Sequence, residues 1–199
     1  MKTRSVFSSI AVLALIACIF YPSAAQQSQQ RLISRFPIEK DAPIEITDIQ
    51  VNGKSISFDQ KFFADDDWVK GLAISLKNKS NRKIIFASFQ LFFPRQESTE
   101  LVLMDELSYG PYVLLSRPPT AAERTVGIAP DETIDFKFPP NQLDGLKRFL
   151  IDANGSFQTA NFRLGRVIFD DDSMWYVGGL FRRDDKNPSG WIHVHIHKS

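Results

Sequence analysis

Ten consecutive residues, Ile84–Phe93 (IIFASFQLFF), constrain the fold more than any other stretch of this chain. They are apolar nearly throughout, dense in β-branched and aromatic side chains, and bounded by the polar turn KNKSNRK before and Pro94 after. Such a run is a strand buried on both sides or one whose outer face is covered, so the fold must supply a layer over each face. Pro94 is expected to end it, since proline has no N–H to give a ladder.

The neighbouring segments read as β-structure with period two. WVKGLAISLKN puts Leu72, Ile74 and Leu76 on one face and Ala73, Ser75 and Lys77 on the other, and ETIDFKF does the same with Ile134, Phe136 and Phe138. IEITDIQV and KSISF flank Asn52-Gly53, a pair that supplies the positive φ angles of a two-residue hairpin turn. ANFRLGRVIF and MWYVGGLF, joined by DDDS, form a second hairpin, and WIHVHIH is the last strand. LVLM is a possible short strand ahead of the irregular excursion SYGPYVLLSRPPTAAER. PPNQLDGLKRFLID predicts one short helix, with Asn141 as N-cap and Leu143, Leu146 and Phe149 or Leu150 on its apolar face. About eight short strands without alternating helices predict an all-β antiparallel β-sandwich with one short helix.

The N-terminal segment is read as an export signal, residues 1–25. Lys2 and Arg4 precede an uncharged run of about 15 residues, short of the roughly 20 that span a bilayer, and Ser23 and Ala25 mark a cut after Ala25. A rival lies inside it: LIAC, Leu15 to Cys18, resembles a lipobox, which predicts a lipid anchor at Cys18 in place of free export to the periplasm or exterior. Membrane attachment is expected only through that lipid. Residues 26–43, Gln-rich and then proline-bearing, are read as a flexible tether, and residues 44–199 as the folded domain. Cys18 is the only cysteine, so the domain carries no internal disulfide and must rely on its core, for which 43 % apolar and 12 % aromatic composition suffices. Beyond the signal, 22 basic residues face 23 acidic ones, so no net basic field argues for nucleic acid.

GLAISLKNKSNRKIIFASFQLFF with the downstream APDETIDFKF resembles the strand, turn, strand and Pro-x-Glu pattern of small exported bacterial immunoglobulin-like domains. Together with VNGKSISF, FFADDDWVKGL and FDDDSMWYVGGLFRRDDKNPSGW it is similar to a group of secreted bacterial proteins that carry such a domain. The resemblance spans roughly Ile44 to Trp191 and implies an immunoglobulin-like β-sandwich; it brings no catalytic residue and no activity with it. In that fold the Lys77 to Lys83 turn should neighbour Asp170 to Asp172, with Asp65 to Asp67 at the opposite end.

Candidate chemistry is sparse. No Gly-x-Ser-x-Gly turn, phosphate-cradling glycine loop or His-Glu-x-x-His helix appears, so no enzyme is expected. The two Asp triplets read as turn formers, because three consecutive side chains fan apart and calcium needs six to eight oxygens. Lys77, Lys79, Arg82 and Lys83 form a local cationic turn, expected to be solvated. Tyr109, Tyr112, Trp175, Tyr176 and Trp191 are the candidates for a glycan platform, with YGPY the best place for binding residues. His193, His195 and His197 project from one strand face, and His193 with His195 is the candidate metal pair. Neighbours about 6.6 to 6.8 Å apart suit one Zn²⁺ as a pair, with weak uptake expected. The expected function is therefore that of an exported noncatalytic module binding a protein or envelope-surface partner. The alternatives are a metal-binding envelope protein using HVHIH and a glycan-binding module.

Overall fold

The computed structural model describes residues 28–37, 41–95 and 98–194. The chain folds as an all-β sandwich of two packed sheets. The smaller sheet runs in the order β3 (Lys54–Ile56), β2 (Ile44–Val51), β5 (Leu72–Asn78), β8 (Thr133–Lys137), antiparallel throughout. β2 and β3 meet at Asn52 and Gly53, whose φ angles of 52° and 74° are those the Asn-Gly pair predicts.

The larger sheet has eight strands and is built around β9 (Thr159–Phe169). One edge of β9 pairs antiparallel with β6 (Ile84–Arg95), which pairs in turn with β7 (Ser98–Tyr109). The other edge is shared. Its first half pairs in parallel with β1 (Gln29–Arg35), which continues to β4 (Lys61–Ala64); its second half pairs with β10 (Ser173–Tyr176), then β11 (Gly179–Arg183) and β12 (Trp191–His193). The sheet therefore forks at the middle of β9.

Residues such as Ile49, Leu72 and Ile74 of the smaller sheet share one core with Phe89, Phe93 and Phe162 of the larger. Phe89 meets Phe138 edge-on at 5.9 Å and lies tilted on Phe162 at 5.6 Å. The opposite face of β6 is covered too: Ile85 and Phe86 pack with Ile168, Met174 and Leu114. Ile84–Phe93 is thus a central strand with its outer face roofed by the excursion after β7.

Four expectations are corrected. Residues 29–35 of the supposed tether are a strand with Arg31 and Ile33 buried; composition concealed it because Arg31 is accommodated by Asp66 and the Ala64 carbonyl, partners distant in sequence. Pro94 does not end β6, whose ladder with β7 continues through Pro94 and Val102. Pro94's carbonyl accepts from the Ser156 N–H at 2.9 Å, so its missing donor falls on the edge facing away from β7, where no ladder bond is lost. MWYVGGLF is two strands, split by a turn at Val177 and Gly178 with φ of 47° and 75°. Finally, the one short helix becomes two among the described residues. α1 (Ala121–Thr125) begins with a capping box, Thr120 bonding the Glu123 N–H and Glu123 returning to Thr120. α2 (Pro140–Asp152) starts a residue before the expected cap, because Pro140 takes the first helical position where its missing N–H costs nothing. Asn141 is therefore inside the helix, and Asp144 pairs with Lys70 at 3.2 Å.

Candidate binding cleft

The YGPY excursion builds an open, mainly apolar cleft on the molecule's described surface. β7 ends at Tyr109, and Gly110 turns the chain with φ of 80°, its backbone so close to β6 that a Cβ would lie 2.4 Å from the Ile85 carbonyl. Pro111 leads into a 3₁₀ turn, Tyr112–Leu115, that drops Leu114 into full burial. α1 follows, and Ile128 is tied back to Ile84 by reciprocal backbone bonds of 3.0 and 2.8 Å. Between these segments and the edge of β8 lies a cleft of about 460 Å³, lined by Ile85, Tyr109, Leu114, Val126 and Phe136 with Glu123. Its size falls within the range of ligand pockets. Val126 is 69 % exposed, and Tyr112 and Val113 on the same excursion are also open to solvent.

Two polar side chains at the cleft, Glu123 and Tyr112, are already engaged. Glu123 takes Arg117 through two bonds of 2.7 and 2.9 Å, and that guanidinium, with the Thr120 N–H, lowers its carboxyl to about 2. Tyr112 donates its hydroxyl to the Glu106 carbonyl at 2.6 Å while its ring meets Phe86 edge-on at 5.7 Å. Burial first, then the Glu106 and Asp105 charges, push its phenol far above the usual tyrosine value. What remains on offer is mainly apolar surface, of a size and character that would suit an aliphatic or aromatic side chain.

The structure gives the other candidate residues different surroundings. Arg82 stacks on Phe169 at 3.8 Å and reaches Asp171 and Ser173, while Asp170 takes the Lys83 carbonyl at 3.0 Å through its N–H. The Lys77 to Lys83 turn thus neighbours Asp170 to Asp172. Asp65 to Asp67 follow β4 beside the start of β9, whereas Asp170 follows its end, roughly 33 Å away along the strand. Asp66 pairs with Arg31 and Asp67 with Lys147, while Asp172 holds the Arg183 guanidinium at 2.9 Å. These carboxylates neutralise specific cations.

The five aromatic candidates are dispersed as well. Tyr109 packs edge-on against Phe136, Trp175 is in the core, Tyr176 lies under Arg166, and Trp191 stacks with Arg183 while donating to the Leu115 carbonyl. His193 ends β12 with its ring edge-on to Phe181 at 5.1 Å. His195 and His197 lie outside the described residues, as does Cys18, and among the described residues no group of three His, Cys, Asp or Glu converges as metal ligands. No described helix is long and apolar enough to cross a membrane.

The excursion is legible in the sequence as a break in the strand pattern, but the meeting of Val126, Leu114 and Phe136 beside it is not. The available signal was the capping box Thr120-x-x-Glu123, which fixes α1 and hence Val126. Comparison with known protein families, curated proteins and solved structures finds no match for this chain.

Proposed function

We propose that the chain is an exported, noncatalytic immunoglobulin-like module that binds a protein partner at the envelope or outside the cell. Strand order supports the immunoglobulin-like assignment: β2, β5 and β8 adjoin in one sheet, and β7, β6, β9 and β10 in the other, the arrangement of strands A, B, E and C′, C, F, G. The export signal and the neutral charge balance read from the sequence support the compartment and argue against nucleic acid.

The observation that carries the binding reading is the apolar cleft between the YGPY excursion and α1, with Val126 exposed at its side. A side chain of that kind, held by a capped helix rather than on a loose loop, is what an interface anchor occupies or packs against. Recovery of the protein from envelope extract with its bound partner tests this. The partner is expected to be retained by the His193→Ala, His195→Ala double variant and lost with Val126→Asp; the reverse pattern would discard the cleft.

A further inference from the structure

The fork in the larger sheet leaves a gap in the backbone pairing of β9. β1 runs beside it only as far as Arg35 opposite Phe162, and β10 joins it only from Arg166 opposite Tyr176. Among the described residues, Arg163, Leu164 and Gly165 between them have no strand partner on that edge. The Phe162 carbonyl faces the gap, where it accepts from the Phe36 N–H at 3.0 Å, and by the alternation of a strand the peptide groups of Leu164 face the same way. Neither flanking strand reaches them: β1 departs through Pro37, which has no N–H, and β10 turns away at Val177. That residue is β-branched and sits at φ of 47°, a conformation such side chains avoid.

A cavity of about 20 Å³ lies in the fork, lined by residues that include Phe36, Pro37, Leu164, Trp175 and Val177. About 10 to 15 Å³ is enough for one water. Trp175 is only 6 % exposed, and its indole N–H finds no acceptor among the described residues. The other two tryptophans differ: Trp68 donates to the Phe157 carbonyl at 2.9 Å and Trp191 to the Leu115 carbonyl at 3.1 Å.

Among the described residues, a buried donor without an acceptor, a strand edge without a neighbour and a space of one water's size thus coincide. We propose that the fork is a binding site for a single ordered water, which accepts the Trp175 Nε1–H and bonds a backbone group of Leu164. It stands in for the ladder missing from this edge of β9 between β1 and β10, and ties the β10–β11 hairpin to β9 there. Buried waters typically make two to four such bonds, which the indole and the strand edge supply.

Water–protein cross-relaxation measured by NMR on the ¹⁵N-labelled protein tests this, with the three indole signals as internal comparison. The Trp175 indole proton and the Leu164 amide should show water contacts of opposite sign in the laboratory and rotating frames, as for a water that stays bound longer than the molecule tumbles. The Trp68 and Trp191 indoles should show none. In Trp175→Phe the Leu164 contact should weaken or vanish. Absence of the contact at Trp175, equal contacts at all three indoles, or a Leu164 contact unchanged in Trp175→Phe would overturn the assignment.

Discussion

Replacing Phe89 by alanine removes a ring from the point where the two sheets meet. Phe89 is fully buried on the inward face of β6, with Phe138 from the segment after β8 on one side and Phe162 of β9 on the other. The lost transfer energy and the cavity left behind together cost about 3 to 5 kcal/mol for a Phe→Ala change of this kind. Against a total stability of about 5 to 15 kcal/mol, that is a large share. At roughly 2 to 4 °C per kcal/mol for a domain of this size, melting should fall by about 6 to 20 °C. Urea unfolding followed by tryptophan fluorescence measures the change directly, and Phe63→Ala, at a side chain 73 % exposed, should move stability by no more than about 0.5 kcal/mol. A loss below about 1 kcal/mol for Phe89→Ala would refute the placement of this face in the core.

Three further outcomes are expected. Asp66→Ala leaves the Arg31 guanidinium, whose side chain is 1 % exposed, with the Ala64 carbonyl as its remaining described partner. The cost should be about 1 to 3 kcal/mol by denaturant unfolding, the buried-pair range discounted for Asp66 at 65 % exposure, and Arg31→Met should cost less; equal costs would show that the buried charge is not the source. Glu123, held at about 2 by Arg117 and the Thr120 N–H, contributes stability above the ordinary carboxylate range that is lost as pH falls toward 2. The Thr120 amide shift should accordingly hold until pH approaches that value, and a midpoint near the ordinary 4.5 would contradict the capping box. For the terminal histidines, calorimetry should give at most micromolar Zn²⁺ affinity, abolished by His193→Ala with His195→Ala, and metal retained through dialysis against chelator would promote the metal-binding alternative.

How far the sequence reveals this fold depends on the range of the interaction concerned. Asn52-Gly53 and the Asp170 to Asp172 turn are set by local backbone preferences, and Ile84–Phe93 by the cost of exposing its own side chains, so all three are readable in place. β1 is not: its Gln-rich composition signals a tether, and only Asp66 and β9, remote in sequence, make burial of Arg31 tolerable. Pro94 misleads for a related reason, since whether a proline interrupts a ladder depends on which edge its nitrogen faces. At the cleft, the prolines and glycine of the excursion are visible as a break in the strand pattern. Its walls, however, come from β6, β8 and α1, which meet only after the sheets have packed.

The central claim, that the cleft is where a partner binds, is tested most directly by photocrosslinking in cells that make the protein. A photoreactive residue is placed at Val126, or at the exposed comparison positions Phe63 on β4 and Ile151 on α2. The predicted result is a discrete higher-mass adduct from position 126 and none from 63 or 151; adducts from the comparison positions with none from 126 would contradict it.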